Sequence, residues 1–346
     1  MTQTFESELK LWVTAELDNI EAPNSIPKFS WQSLNGDAGF RKYFRLGFEN
    51  FSLIAVFAPP KTENNEAFVA IDTYLRAHGV QVPKIIAYDA ARGFLLLEDL
   101  GEKLFLDYLD KDSANSLYGL ALLELLKIQQ CPVNTEIFPS YDASRLKQEL
   151  SLFPEWFVTR LLGCDIGEKQ QACLDQLFDL LIESALEQPQ VIVHRDYHSR
   201  NLVYGEGGEP GVVDFQDAVI GPFTYDPVSL LRDCYIEWPK EDVQRWMLAY
   251  ASLAVDAELI EEQSEHTIER WFDLMGMQRH IKVLGIFARL SLRDDKHSYL
   301  NDLPLVIKYV RDVAAKYEQC ADFLKWFDDE LLPIAAQQSW FREPKL

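Results

Sequence analysis

Basic residues are scarce in this chain of 346 residues. Lys and Arg total 33 against 55 Asp and Glu, which leaves a net charge of −22 at pH 7. The phosphates of a nucleic acid demand a basic protein surface, and so does an anionic membrane, so the charge argues against both partners. An acidic surface serves solubility, although it could also attract a cationic substrate.

Cysteines are few and do not form a recognisable pattern. The five cysteines are scattered and include no C-x-x-C pair, which indicates reduced thiols and excludes a disulfide framework or a zinc site. The first residues show no basic segment followed by an apolar one, and no apolar run approaches the ~18 residues of a membrane span. These absences predict a cytoplasmic protein, and nothing in the pattern indicates its oligomeric state.

Hydrophobic periodicity divides the chain into two parts of different character. Strand-like runs occur early, at residues 40–46, 51–57, 84–88 and 93–98, with helical patterns at 5–19 and 63–77. Helical patterns dominate later, at 114–129, 144–162, 168–187, 241–254, 257–275, 277–292, 303–318 and 321–332. Three strand-like islands interrupt them, at 191–194, 201–204 and 211–215. We therefore expect an α+β chain with a small β-rich lobe at 1–100 and a large helical lobe at 101–346, joined near 98–101.

The most informative segment is a polar string between two apolar runs, HRDYHSRN at residues 194–201, followed by VVDFQ at 212–216. Transfer of a phosphoryl group to a hydroxyl needs a base for the hydroxyl and oxygen ligands for Mg²⁺. We assign the base to Asp196 and the ligands to Asn201 and Asp214, because hard cations prefer oxygen. His194 is expected to brace the loop. The alternative is a buried polar turn without catalysis, which the second carboxylate at matching spacing disfavours.

A turn of small residues precedes the strand-like run at 40–46. It contains Gly36 and Gly39, and such a turn can let backbone N–H groups approach phosphates. On the run that follows, Arg41 and Arg45 share one face and are candidates to bind those phosphates. A solvent-facing charged stripe is the alternative.

Asp226 precedes Pro227 and a helical run. A carboxylate followed by proline is typical of a helix N-cap and the first helical position. We therefore predict a structural role for Asp226 and no part in catalysis.

The two polar segments resemble the catalytic loop and the metal-binding segment, 212–217, of the aminoglycoside phosphotransferase/choline kinase family. The resemblance implies a two-lobe protein-kinase-like fold with an antiparallel sheet in the small lobe, and ATP and Mg²⁺ as cofactors. His198 also matches many members, and Arg200 belongs to the same supporting loop. The segment LLLEDLG at 95–101 resembles the family's hinge, where the backbone of Glu98 and Leu100 would hydrogen-bond adenine.

Longer segments resemble one bacterial subgroup of that family, across residues 30–312. They are GDAGFRKYFRL, DFQDAVIGPFTYDPVSLLRD and LGIFARLSLRDDKHSYLNDLP. The subgroup contains the N-acetylmuramate/N-acetylglucosamine anomeric kinases of cell-wall recycling, which implies a small-molecule sugar substrate phosphorylated at its C1 hydroxyl. The alternatives are an aminoglycoside or amino-alcohol phosphotransferase, and a non-catalytic nucleotide-binding pseudokinase. The carboxylate of N-acetylmuramate would need a cation, for which Arg200, Arg232, Arg289 and Arg293 are available.

One position departs from the kinase pattern. Kinases carry a lysine on the third strand that binds the α- and β-phosphates. Aligning Ile54-Ala55-Val56 to that strand places Phe57 at the position of the lysine. We hypothesise that Arg41 or Arg45 replaces it.

Overall fold

The computed structural model describes residues 2–20, 28–34, 39–205 and 208–342. The strands are β1 (Ser30–Leu34), β2 (Lys42–Gly47), β3 (Ser52–Phe57), β4 (Ile85–Asp89), β5 (Phe94–Glu98), β6 (Gln190–Val193), β7 (Leu202–Tyr204), β8 (Pro210–Val212) and β9 (Val219–Pro222). The α-helices are α1 (Thr2–Ile20), α2 (Asn65–Ala77), α3 (Ala114–Gln130), α4 (Ala143–Leu150), α5 (Glu168–Leu186), α6 (Tyr225–Leu231), α7 (Lys240–Asp256), α8 (Glu265–Asp294), α9 (Leu303–Ala314), α10 (Ala321–Trp326) and α11 (Leu332–Ala335). Short 3₁₀ segments lie at Phe105–Tyr108, His297–Asp302 and Glu318–Cys320, and π-helical segments at Phe153–Leu161 and Phe327–Leu331. The predicted α+β class is confirmed.

The chain forms two compact units. The first comprises Met1–Ile128 and Arg200–Asp217, and the second comprises Gln129–Ser199 and Ala218–Leu346. The first unit therefore extends beyond the expected lobe boundary at 98–101 and includes a short segment that follows the predicted catalytic loop.

An antiparallel sheet in the order β1-β2-β3-β5-β4 organises the first unit. Every second side chain of each strand points to the same face, as the strand period requires. These side chains pack on α1, and the shared core contains Leu9, Trp12, Val13, Leu17, Phe44, Leu46, Ala55, Phe94 and Leu96. The helical spacing predicted for residues 5–19 therefore covers one face of the sheet.

A second antiparallel pair, β7 with β8, belongs to the same unit. Its backbone is anchored outside the pair, because Tyr204 N–H donates to the Lys103 carbonyl at 2.7 Å and Val212 N–H donates to the Gln81 carbonyl at 2.7 Å. The open end of the hairpin is closed by a hydrogen bond from Val213 N–H to the Asn201 carbonyl, at 3.1 Å. This end carries both predicted metal ligands.

The long buried helix α8 organises the second unit. It begins at its N-cap Ser264, whose hydroxyl accepts the N–H of Thr267 at 3.1 Å. The sequence pattern predicted two helices, at 257–275 and 277–292, with a break at Gly276, but the structure has one helix. Gly276 lies within this helix, and the atoms nearest to a Cβ added there would be side-chain atoms of Arg232 and Val228.

Two other predicted elements also differ from the structure. The helix predicted at 144–162 is divided into α4 and the π-helical segment Phe153–Leu161. The strand predicted at 211–215 ends at Val212, because Asp214 takes a left-handed backbone conformation with φ of 67°. None of the helices in the described part of the chain combines the length and hydropathy needed to cross a bilayer.

Candidate active site

Two carboxylates of the second unit hold the loop that carries the predicted base. Asp226 accepts the backbone N–H of His194 at 2.7 Å and that of Arg195 at 3.0 Å. Asp233, seven residues further on, accepts both the N–H and the hydroxyl of Ser199. The loop is thus fixed at both ends by neighbouring segments of one helical region.

The prediction that Asp226 caps a helix is wrong. Helix α6 begins at Tyr225 with Thr224 at the N-cap position, so Asp226 lies inside the helix. Its side chain instead accepts two backbone N–H groups of the loop. Asp226 lies in α6 and Asp233 lies beyond its end at Leu231, so no helical spacing connects the two carboxylates in the sequence.

His194 braces the loop, as the sequence suggested. It is buried, and its Nδ1 accepts the backbone N–H of Asp196 at 3.2 Å. Because Nδ1 is an acceptor here, the proton of the neutral ring is on Nε2. Arg195 between them has a φ of 75°, a conformation that ordinary side chains adopt at a cost and that is typical of functional turns.

Positive charges surround Asp196. Burial alone would raise the pKa of this carboxyl, but Lys282, His198 and Arg195 act against burial and hold the pKa below its usual value. Asp196 is therefore ionised near neutral pH. A carboxylate in that state can accept a hydrogen bond from a substrate hydroxyl.

A buried ionic network extends from this loop to α4 and α8. Glu149 forms ion pairs with Arg195 and with Lys282, the latter at 3.1 Å, and the Tyr141 hydroxyl donates to the same carboxylate. Lys282 also donates to the Tyr225 hydroxyl at 3.0 Å. Sequence reasoning missed Glu149 and Lys282, which lie on α4 and α8, far from the loop in the chain.

The predicted metal ligands lie in the first unit. Asn201 precedes β7 and Asp214 follows β8, and the Asn201 amide nitrogen is 3.4 Å from Asp214 Oδ2. This orientation turns the amide nitrogen of Asn201 to the carboxylate, so the amide oxygen is the atom that would bind a cation. Gln216 donates from Nε2 to Asp214 Oδ1 at 2.7 Å.

The donor set of this hairpin fits Mg²⁺. It offers amide and carboxylate oxygens, which hard cations prefer. The Gln216 Oε1 atom is buried and has no hydrogen-bond partner among the described residues, so the site contains an unused oxygen beside Asp214. Within residues 2–20, 28–34, 39–205 and 208–342, no group of three His, Cys, Asp or Glu side chains could hold a metal.

The predicted hinge is stabilised by Arg45. Its guanidinium donates from Nε and Nη2 to Asp99 at 2.6 and 3.1 Å, from Nη1 to Glu102 at 2.6 Å, and from Nη2 to the Gly101 carbonyl at 2.9 Å. Glu98 ends β5 and donates its N–H to the Lys84 carbonyl at 2.8 Å.

Leu100 packs against the backbone of Gly211. A Cβ at Gly211 would lie 2.7 Å from the Leu100 side chain, so the glycine makes room for the hinge beside β8. Arg200 is half-buried at the start of the segment that joins the first unit.

At the turn before β2, Gly39 has a φ of 89°, which favours glycine. Gly36 lies outside the described residues. Arg41 forms an ion pair with Glu63, at 3.2 Å between Nη2 and Oε2. Phe57 packs on Phe5 of α1, with ring centroids 4.5 Å apart.

Comparisons with known proteins identify the fold and the family of this chain. The choline kinase from Cryptosporidium parvum superposes with a TM-score of 0.63 at 12% identity, covering 92% of this chain and 99% of that one. That likeness shows the two-lobe protein-kinase-like fold.

The family follows from sequence. The model of the phosphotransferase enzyme family matches residues 30–260, and the chain belongs to that family. Two N-acetylmuramate/N-acetylglucosamine kinases are similar over 318 residues, or 91% of this chain. The one from Pseudomonas putida is 42% identical with 93% of its length covered, and the one from Pseudomonas aeruginosa is 40% identical with 94% covered.

Proposed function

We propose that this protein transfers the γ-phosphoryl group of ATP to the anomeric C1 hydroxyl of N-acetylmuramate or N-acetylglucosamine, in cell-wall recycling. The proposal depends above all on the similarity to kinases of that name over nine tenths of both chains. The ionised Asp196 and the Asn201–Asp214 hairpin supply the groups that phosphoryl transfer to a hydroxyl requires. Their presence favours a working kinase over a pseudokinase.

Asp196 is proposed to orient the acceptor hydroxyl and to take its proton. Since the transition state of phosphoryl transfer is loose in most analyses, the proton need only leave late. A carboxylate with a lowered pKa is a weak base, and it suits this task because it remains ionised and accepts the hydroxyl hydrogen bond at neutral pH.

Asn201 and Asp214 are proposed to hold Mg²⁺, with Gln216 Oε1 as a further oxygen beside them. When bound, Mg²⁺ neutralises charge on the phosphates of ATP. The Glu98 N–H already donates to Lys84, so its contribution to adenine binding would come from the carbonyl oxygen, with Leu100 supplying an N–H. ATP as the phosphoryl donor and the absence of a disulfide among the five cysteines support a cytoplasmic location.

Arg289 is the candidate that we propose for the carboxylate of N-acetylmuramate. Arg232 is paired with Asp273 at 2.6 Å and Arg293 with Asp294 at 2.8 Å. Arg289 lies on α8 and has a buried Nε without a hydrogen-bond partner in the described part of the chain. A guanidinium matches a carboxylate geometrically, so Arg289→Ala should raise the KM for N-acetylmuramate more than for N-acetylglucosamine.

The proposal is tested by measuring ADP release with Mg-ATP and a panel of acceptors: N-acetylmuramate, N-acetylglucosamine, choline and an aminoglycoside. We expect turnover with the two amino sugars, and a loss of roughly 10²- to 10⁴-fold in kcat for Asp196→Asn with nucleotide binding retained. Preferred turnover of choline or the aminoglycoside would contradict the substrate. ATP binding without turnover of any acceptor would indicate a pseudokinase.

A further inference from the structure

We infer that Arg41, on the segment leading into the second strand, supplies the phosphate-binding cation that kinases usually carry on the third strand, and that Glu63 positions it. The inference rests on the proposed function, because it requires a nucleoside triphosphate as substrate. The sequence leaves open whether Arg41 or Arg45 replaces the lysine, and the contacts of the two side chains favour Arg41.

The third strand has no cation on the relevant face. In the register of β2 and β3, Lys42 is opposite Phe57 and Tyr43 is opposite Val56. Directly opposed residues project from the same face of a sheet. Phe57 packs on Phe5 of α1, so a lysine at position 57 would point toward that helix. On the face of Tyr43, β3 presents the apolar side chain of Val56.

Arg41 is held where the glycine turn meets α2. Its Nη2 atom is 3.2 Å from Glu63 Oε2, and the exposed fractions of the two side chains are 9% and 13%. The other oxygen of Glu63, Oε1, accepts the Phe40 N–H at 3.1 Å, directly after the positive-φ residue Gly39. One carboxylate thus fixes both the turn and the guanidinium. An arginine has five N–H donors, so the ion pair with Glu63 and the hydrogen bond with Tyr43 leave others for a phosphate.

Contacts within the first unit connect Arg41 to the metal carboxylate. The Arg41 guanidinium lies 5.3 Å from the centre of the Phe68 ring, and Phe68 stacks on Phe215 at 5.0 Å, beside Asp214 in the chain. Burial raises the pKa of Tyr43 to about 12, with Arg41 lowering it and Asp214 raising it. The Tyr43 hydroxyl therefore lies within the electrostatic reach of both charges. A cation beside a metal carboxylate is the arrangement that a metal-bound polyphosphate requires.

The guanidinium of Arg45 binds the segment after β5 instead. All three guanidinium nitrogens are engaged by Asp99, Gly101 and Glu102 after β5. Four of its five N–H donors are used in this way, so Arg45 would have to break some of these bonds to bind a phosphate in bidentate fashion. Arg45 therefore holds the hinge, and Arg41 is the arginine available to the nucleotide phosphates.

Calorimetry with ADP-Mg²⁺ and with adenosine tests the inference. Arg41→Ala should weaken ADP binding by roughly 10- to 100-fold, the loss expected for a charged hydrogen bond, and leave adenosine affinity unchanged. Arg41→Lys should restore part of the loss. Glu63→Gln should weaken ADP binding less, and have no further effect when Arg41 is already Ala. Lys42→Ala removes the adjacent exposed charge and should change neither affinity.

Arg45→Ala is the second comparison, and we expect it to weaken adenosine and ADP binding by similar factors. Equal ADP affinity in wild type and in both folded Arg41 variants would overturn the inference while leaving the proposed kinase function intact. The inference would also be overturned if Arg45→Ala, and not Arg41→Ala, selectively weakened ADP binding. Failure of the wild-type protein to bind any adenine nucleotide would instead contradict the proposed function.

Discussion

At the scale of single residues, Asp226 fixes the predicted catalytic loop by accepting two of its backbone N–H groups. Burial raises the pKa of this carboxyl to about 7, although the N–H groups of His194 and Arg195 oppose the shift. Only the ionised form offers both oxygens as acceptors. Protonation near pH 7 would leave one backbone N–H of the loop without its partner, and the position of Asp196 depends on that loop.

Turnover should therefore fall as the pH decreases through about 7, and Asp226→Asn should be slow at every pH without this decline. The loss is not acid unfolding caused by Asp226. A carboxyl whose folded-state pKa exceeds its unfolded value of about 4 stabilises the fold below that value, and the contribution disappears as the pH rises through about 7. Rates and thermal melts recorded across pH 7 for both proteins check this. Identical pH profiles for wild type and Asp226→Asn would exclude the role.

The site residues predicted from the sequence lie close together in the chain, whereas those that only the structure revealed lie far apart in it. Asp196, Asn201 and Asp214 stand in a short local pattern, so the sequence could indicate them. Glu149 and Lys282 reach the loop from elements distant in the chain, and no local pattern connects them to it. Asp226 was assigned the role of a helix cap because helix-start signals describe the backbone and not the donors that folding brings to a side chain.

At the scale of elements, α8 is restricted by its close approach to the segment before the π-helical turn. A Cβ on Gly285 would lie 2.4 Å from the carbonyl carbon of Leu152 and 2.5 Å from its oxygen. These atoms belong to the backbone and cannot move away independently.

Gly285→Ala should therefore lower the free energy of unfolding. Overpacking costs about 1–3 kcal/mol, which exceeds the about 1 kcal/mol that alanine gains over glycine in a helix. Gly276→Ala, in the same helix, is the matched control. Its nearest neighbours are side-chain atoms of Arg232 and Val228 at 3.3 and 3.4 Å, so its stability should stay the same or rise slightly. Urea unfolding of both variants measures the difference, and equal effects would refute the backbone contact.

Sequence periodicity was a good guide to elements that carry a regular apolar pattern. It located α1, α2, α3, α5 and the strands β2 to β5 within a few residues. It missed β1 and β9, and it divided α8 at Gly276. The missed strand β9 pairs with β6, and α8 packs against α6 at Gly276. Partners distant in the chain therefore determine both the strand and the continuous helix. Such pairings have no period for the sequence to show.

At the scale of the whole molecule, the chain runs from the second unit into the first between Ser199 and Arg200. The predicted base and the predicted metal ligands therefore lie on consecutive segments but belong to different units. The sequence predicted a single change of character near residue 100. It could not show that 200–217 joins the first unit, because that assignment depends on backbone hydrogen bonds from the β7–β8 hairpin to Gln81 and Lys103.

Mg²⁺-dependent nucleotide binding should stabilise the protein against unfolding only when the metal ligands are intact. A ligand at 100 times its Kd adds about 2.7 kcal/mol to the free energy of unfolding. We expect Mg-ATP to raise the Tm of the wild type, and to raise that of Asp214→Ala no more than ATP does without Mg²⁺. A full Mg²⁺-dependent shift in the variant would show that Asp214 is not a metal ligand.

The central claim is that phosphate is transferred to the anomeric hydroxyl of an N-acetylated amino sugar. Proton-coupled ³¹P NMR, with ¹H–³¹P correlation, of the product from N-acetylglucosamine or N-acetylmuramate tests it directly, because a C1 phosphate couples through three bonds to the anomeric proton, a phosphate on another ring carbon to that carbon's proton, and a C6 phosphate to two methylene protons. We predict a sugar-phosphate doublet that forms with the wild-type protein and is absent with Asp196→Asn. A C6-type triplet, or inorganic phosphate as the sole new signal, would contradict the claim.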